Sequence, residues 1–219
     1  MRNRNCLLLG ALVAAAPLCA TADVLVIGNS PSPSTNDFPF GQSAGPGTRY
    51  QQAFSSSNFA QPILISEVHF FLARPGTLRT QDFALSLSTT GIGIDLLSTF
   101  NFGSNVGTNN QLFASGTLSG AAPSVLSFAG QPFIYDPAAG NLLLDFQFSG
   151  IGAAGTAQYA ARIDANGIFS RYSDFGSGNA GWGLITEIVF APVPEPSSAL
   201  TLALGLLCLA VLASRRAEA

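Results

Sequence analysis

From Phe83 to Ser88 the chain reads Phe-Ala-Leu-Ser-Leu-Ser, large apolar and small residues alternating without a slip. An extended strand puts every second side chain on one face, so a two-residue period marks a half-buried strand. The same period recurs elsewhere. Leu142, Leu144, Phe146 and Phe148 oppose Asp145, Gln147 and Ser149; Val68, Phe70 and Leu72 oppose Glu67 and His69; Leu184, Ile188 and Phe190 share a face with Thr186. Turn-forming clusters lie between the runs, at Ser43–Gly47, Arg74–Gly76, Gly103–Asn105, Asp136–Asn141 and Gly176–Asn179. No stretch of this region keeps a 3.6-residue period. About ten short strands between Gly/Pro/Asn turns predict an all-β domain, an antiparallel two-sheet sandwich of jelly-roll-like form. The 17 phenylalanines suit it, since aromatic rings fill the gap of about 10 Å between stacked sheets.

The two ends of the chain follow another pattern. Arg2 and Arg4 precede an apolar run from Cys6 to Ala16, and Ala20-Thr21-Ala22 forms an A-x-A site before Asp23. This order predicts a signal peptide over 1–22, cut between Ala22 and Asp23. At the other end, Ser197 to Ser214 carries no charge, and its seven leucines (200, 202, 204, 206, 207, 209 and 212) fall on every face of a helix. Such a helix extends roughly 27 Å, close to the ~30 Å hydrocarbon core, and predicts one C-terminal transmembrane helix over 197–214. Arg215 and Arg216 follow at once, and the positive-inside rule leaves them in the cytoplasm with the bulk of the chain outside. Pro192, Pro194 and Pro196 bias the approach to the span towards extended, polyproline-like backbone that a protease can reach.

Pro194-Glu195-Pro196, a single span and a terminal arginine pair together resemble the PEP-CTERM sorting signal of Gram-negative bacteria. The resemblance implies that Pro194, Glu195 and Pro196 are read by exosortase, a membrane protease-transpeptidase. The helix would then be held in the inner membrane only until processing, with Arg215 and Arg216 as the retention cluster. Tyr50–Phe54, Leu85–Thr90 and Tyr135–Asp145 also resemble segments of small exported PEP-CTERM β-proteins, which implies a fold and a destination but no chemistry. The expected organisation is a signal peptide (1–22), a β-sandwich ectodomain (23–192) and a sorting signal (193–219, with its motif at 193–196). The expected destination is the cell surface or extracellular matrix.

Charge and cysteine usage narrow the function classes. Between 23 and 192 there are five Arg against eight Asp and two Glu, a balance of minus five, with no basic run. That argues against nucleic acid as a partner. Cys6 and Cys19 fall in the signal peptide and Cys208 in the span, so the exported domain has neither disulfides nor cysteine chemistry and is held by its core.

Candidate chemistry is sparse. His69 is the only histidine, and its position on the polar side of a strand near Glu67 reads as a surface residue. Gly41-Gln42-Ser43-Ala44-Gly45 has the letters of a nucleophile elbow, but Pro39 before it and Pro46-Gly47 after it deny the strand–turn–helix context. Gly150-Ile151-Gly152-Ala153-Ala154-Gly155 spells a phosphate-loop pattern with no helix long enough to follow, and reads as a Gly/Ala connection. A polysaccharide hydrolase or lyase needs two facing carboxylates; Asp145 with Glu187 is one pair on paper, and no spacing singles it out. No cofactor is expected and no catalytic residue is assigned. Calcium is the one metal considered, through Asp136, Asn141 and Asp145 around a turn. A sugar platform needs exposed aromatic rings beside polar donors, and Trp182, Tyr172 and Tyr159 are the candidates, with Gly181 and Gly183 making room beside the indole. The leading expectation is an exported, non-enzymatic structural or adhesive protein of an exopolysaccharide or biofilm matrix. A carbohydrate-binding module for exopolysaccharide is the alternative.

Overall fold

A computed structural model of the chain describes residues 22–41, 48–174 and 176–193, together with 204, 205 and 207. The signal peptide before Ala22, the letters of the elbow after Gly41, the motif Pro194–Pro196 and the cluster Arg215–Arg216 lie outside the described residues. So does the expected 197–214 span apart from Leu204, Gly205 and Leu207, which are helical. Among the described residues no helix is long and apolar enough to cross a membrane.

The described residues form thirteen strands. They are β1 (Asp23–Ile27), β2 (Ser34–Asn36), β3 (Arg49–Phe54), β4 (Ile63–Arg74), β5 (Gln81–Thr90), β6 (Gln111–Leu118), β7 (Val125–Tyr135), β8 (Asn141–Ser149), β9 (Gln158–Arg162), β10 (Phe169–Ser173), β11 (Gly176–Asn179), β12 (Gly183–Leu184) and β13 (Thr186–Pro192). They build two antiparallel sheets. The first runs β1-β13-β4-β9-β12, with β2 also on β9 and β7 also on β4; the second runs β11-β10-β3-β8-β5-β6. From β3 to β5, and again from β6 to β10, each strand lies in the other sheet from its predecessor. The protein is all-β.

The alternating runs do what their period demands. Leu142, Leu144, Phe146 and Phe148 of β8, Leu85 and Leu87 of β5, Val68 and Phe70 of β4, and Leu184 and Ile188 near the end all enter one core. The rings of Phe70 and Phe146, one from each sheet, lie 6.1 Å apart. Phe40, from the loop after β2, fills the middle: its ring centre is 5.0 Å from Phe70, 5.5 Å from Phe128, 5.3 Å from Phe146 and 5.4 Å from Tyr159. Tilted and edge-on pairs of this kind add about 0.5–1.5 kcal/mol each beyond the area they bury.

Two departures from the expected pattern have physical causes. Gly176–Asn179, read as a turn, is strand β11, because its backbone completes a ladder with β10 in which Arg171 faces Asn179. Asp145, read as solvent-facing, is 2% exposed. The connection between β5 and β6 folds over the outer face of the second sheet, and Ile94, Leu97 and Phe102 form a second apolar cluster there with Ala53, Leu143 and Tyr172. Buried amides pin it: Gln51 Nε2 donates to the Phe102 carbonyl (3.1 Å), Asn105 Nδ2 to Gln51 Oε1 (2.8 Å), and Tyr172 Oη to the Ile94 carbonyl (3.0 Å). A strand with both faces covered keeps its period but loses its polar side.

Candidate functional site

The tryptophan lies where the two sheets meet. Trp182 directly precedes β12, whose Gly183 pairs with Arg162 of β9, so Arg162 is delivered beside the indole. Thr35 and Asn36 of β2 flank the same end of β9, opposite Ala160 and Tyr159. From the second sheet, β10 contributes Arg171. Its pairing with Gln52 puts it on the core-facing side at the sheet margin, and its guanidinium carbon lies 5.5 Å from the Trp182 ring centre. These residues line a shallow cleft of about 30 Å³, and the indole is 40% exposed. That volume holds about one water molecule, so the arrangement offers a surface for contact and no chamber for a ligand.

The flanking glycines serve the packing. A Cβ at Gly183 would stand 2.7 Å from the Phe169 ring and 2.9 Å from the Gln52 side chain, and Gly181 has φ of +69°, where side chains are strained. Both keep the tryptophan segment close against the core. Electrostatically the cleft is cationic at two points. Arg162 Nε donates to Asp164 Oδ1 at 2.8 Å, and this bond holds the exposed Asp164 carboxyl below the usual carboxylate range.

The other two expected platform residues are elsewhere. Tyr159 is 1% exposed and packs on Phe40, and burial pushes its hydroxyl up to about 12. Tyr172 is 4% exposed and holds down the β5–β6 connection. Three rings therefore do not make one platform; Trp182 alone faces solvent, because β9 and β10 turn their tyrosines towards apolar partners.

The calcium candidates are each engaged within the fold. Asp136 caps a short 3-10 turn by accepting from Ala138 N at 2.9 Å. Asn141 is engaged on both sides, accepting from Ser56 N and donating to the Ile92 carbonyl. Asp145 is gripped by Arg49 through Nε (2.9 Å) and the terminal nitrogen (2.6 Å). Asn141 and Asp145 stand four residues apart on one strand, roughly 13 Å, too far to share an ion. Among the described residues no group of three His, Cys, Asp or Glu is arranged to hold a metal. Asp145 and Glu187 lie on the outer faces of different sheets, so they do not converge on one bond. The 150–155 glycine segment leads directly towards β9 and is tied to the loop after β4 by Gly152 N to the Thr80 carbonyl (2.8 Å) and Thr80 N to the Ala153 carbonyl (3.0 Å).

One cluster escaped sequence reading. His69 is held by two carboxylates, with Nδ1 2.8 Å from Glu187 and Nε2 2.8 Å from Glu67. Its side chain is largely covered rather than on open surface. Burial, the largest single influence, pulls its pKa down, but the hydrogen bonds and charges of the two glutamates together raise it above the ordinary histidine value. Glu67, two residues away, was visible in sequence; Glu187 is supplied by strand pairing across 118 positions. With both ring nitrogens facing carboxylates, this imidazole ties β4 to β13.

The chain matches no family model and no curated protein.

Proposed function

We propose that the protein is an exported, non-enzymatic structural or adhesive component of the cell envelope and its polysaccharide matrix, built on a jelly-roll-like sandwich that grips polysaccharide at the Trp182 surface. The observation that carries this reading is Trp182 itself. The single tryptophan of the chain is 40% exposed above a polar cleft while every tyrosine is buried. Apolar rings of that size ordinarily gain by burial, and an indole facing solvent beside guanidinium and amide groups is suited to the C–H face of a sugar. The test is affinity electrophoresis of the protein and its Trp182→Ala variant through gels containing extracellular polysaccharide. Retardation that the variant loses supports the reading; equal retardation of both places binding elsewhere.

Export and sorting by exosortase form the second half of the proposal and rest on the ordered signals at the chain ends. Pairing of β1 with β13, Asp23 opposite Phe190, supports it by bringing both expected processing points to one edge of the domain. Mass spectrometry of the envelope form is expected to find Asp23 as the first residue and the tail missing beyond the Pro-Glu-Pro region. Replacing Glu195 by Ala is expected to leave uncleaved precursor in the inner membrane. Normal processing of that variant would defeat the sorting assignment.

A further inference from the structure

We infer that the Trp182 surface selects carboxylated polysaccharides, the indole stacking on a sugar ring while Arg171 and Arg162 hold its carboxylate; this rests on the glycan reading above. The argument is one of placement. The region 23–192 has five arginines against ten acids, so cationic neighbours are scarce. Arg49 is spent on Asp145, and Arg79 is buried. Arg162 and Arg171 nevertheless come from different sheets to line the one cleft that holds the exposed tryptophan.

Each guanidinium is poised for an anion. Arg171 lies over the indole, and a planar guanidinium is the group that meets a carboxylate with two hydrogen bonds. Arg162 already holds a carboxylate, that of Asp164, whose side chain is 77% exposed. An ion pair so open to water is weakly held, and a ligand carboxylate presents the same group in its place. A neutral sugar would use the indole alone. A polyanion would use the indole and both guanidiniums, and its charge would be complementary to this cleft on an acidic domain.

The experiment compares polygalacturonate with its fully methyl-esterified form, which keeps the backbone and removes the charge. Binding is measured by isothermal calorimetry with the full-length protein in a polyoxyethylene detergent. The expected result is at least about tenfold tighter binding of the acid form, weakening between low and high salt as a charge contact must. Arg171→Gln and Arg162→Gln should each erase most of that discrimination at an unchanged thermal midpoint, and Trp182→Ala should lose both polymers. Equal affinity for the two polymers would overturn the selectivity and leave the glycan reading standing. Binding of neither would overturn both. Discrimination that survives both arginine substitutions would place the anion site elsewhere and overturn the inference.

Discussion

Replacing Gln52 by Ala is the sharpest test of how the two sheets are joined. Gln52, in β3 of the second sheet, is fully buried, and its amide reaches across the core. Its Nε2 donates to the Leu184 carbonyl (2.9 Å) and Thr186 Oγ1 (3.2 Å), while its Oε1 accepts from Leu184 N (2.9 Å) and Tyr50 Oη. The Leu184 carbonyl keeps a second donor in Thr186 Oγ1 at 2.9 Å, and the Leu184 N–H also meets the Tyr50 oxygen, so truncation strands one donor, the Tyr50 O–H. A stranded buried donor costs about 1–3 kcal/mol and the space left by the amide about 1 kcal/mol more, giving about 2–4 kcal/mol. A water entering the polar space would recover part of this, leaving a floor of about 1 kcal/mol. For a domain of this length that is a fall in Tm of about 2–16 °C, read by far-UV circular dichroism of wild type and Gln52→Ala. A loss below about 1 kcal/mol for Gln52→Ala would refute the latch.

Two other predictions test single groups. The Tyr159 hydroxyl is buried without a hydrogen-bond partner among the described residues, so Tyr159→Phe should be neutral or stabilising by up to about 1 kcal/mol in urea unfolding; a loss of that size would mean the hydroxyl is bonded. His69 has a raised pKa in the folded state, so its contribution is fully present below the unfolded value of about 6.5 and is lost as pH rises through the folded value. The stability gap between wild type and His69→Gln should therefore be wider at about pH 5.5 than at about pH 9, and a gap independent of pH would remove the clamp by Glu67 and Glu187.

Much of the core was legible in the chain because a strand's period is local. The faces of β4, β5, β8 and β13 follow from neighbours two residues apart, and the core they build contains the expected side chains. The site was less legible. Trp182 stood out as the only tryptophan, but nothing local shows that Tyr159 and Tyr172 turn inward, since that depends on Phe40 beneath one and Ile94 above the other. The same holds for Arg171, whose place over the indole is decided by pairing with Gln52 more than a hundred positions earlier. Gly176–Asn179 misled for a related reason: a glycine-rich tetrapeptide has turn chemistry until a neighbouring strand offers it a ladder.

Composition and periodicity alone settled that the chain makes strands and which side of each alternating run faces the core, because alternation and hydrophobic burial act between close neighbours along one strand. Tertiary structure alone decided which outer face stays wet, which carboxylates meet His69 and Arg49, and that Trp182 rather than Tyr159 or Tyr172 is left to solvent. Those outcomes turn on register and on a connection folding back over a sheet. They depend on contacts between residues far apart in the chain, which no local pattern encodes.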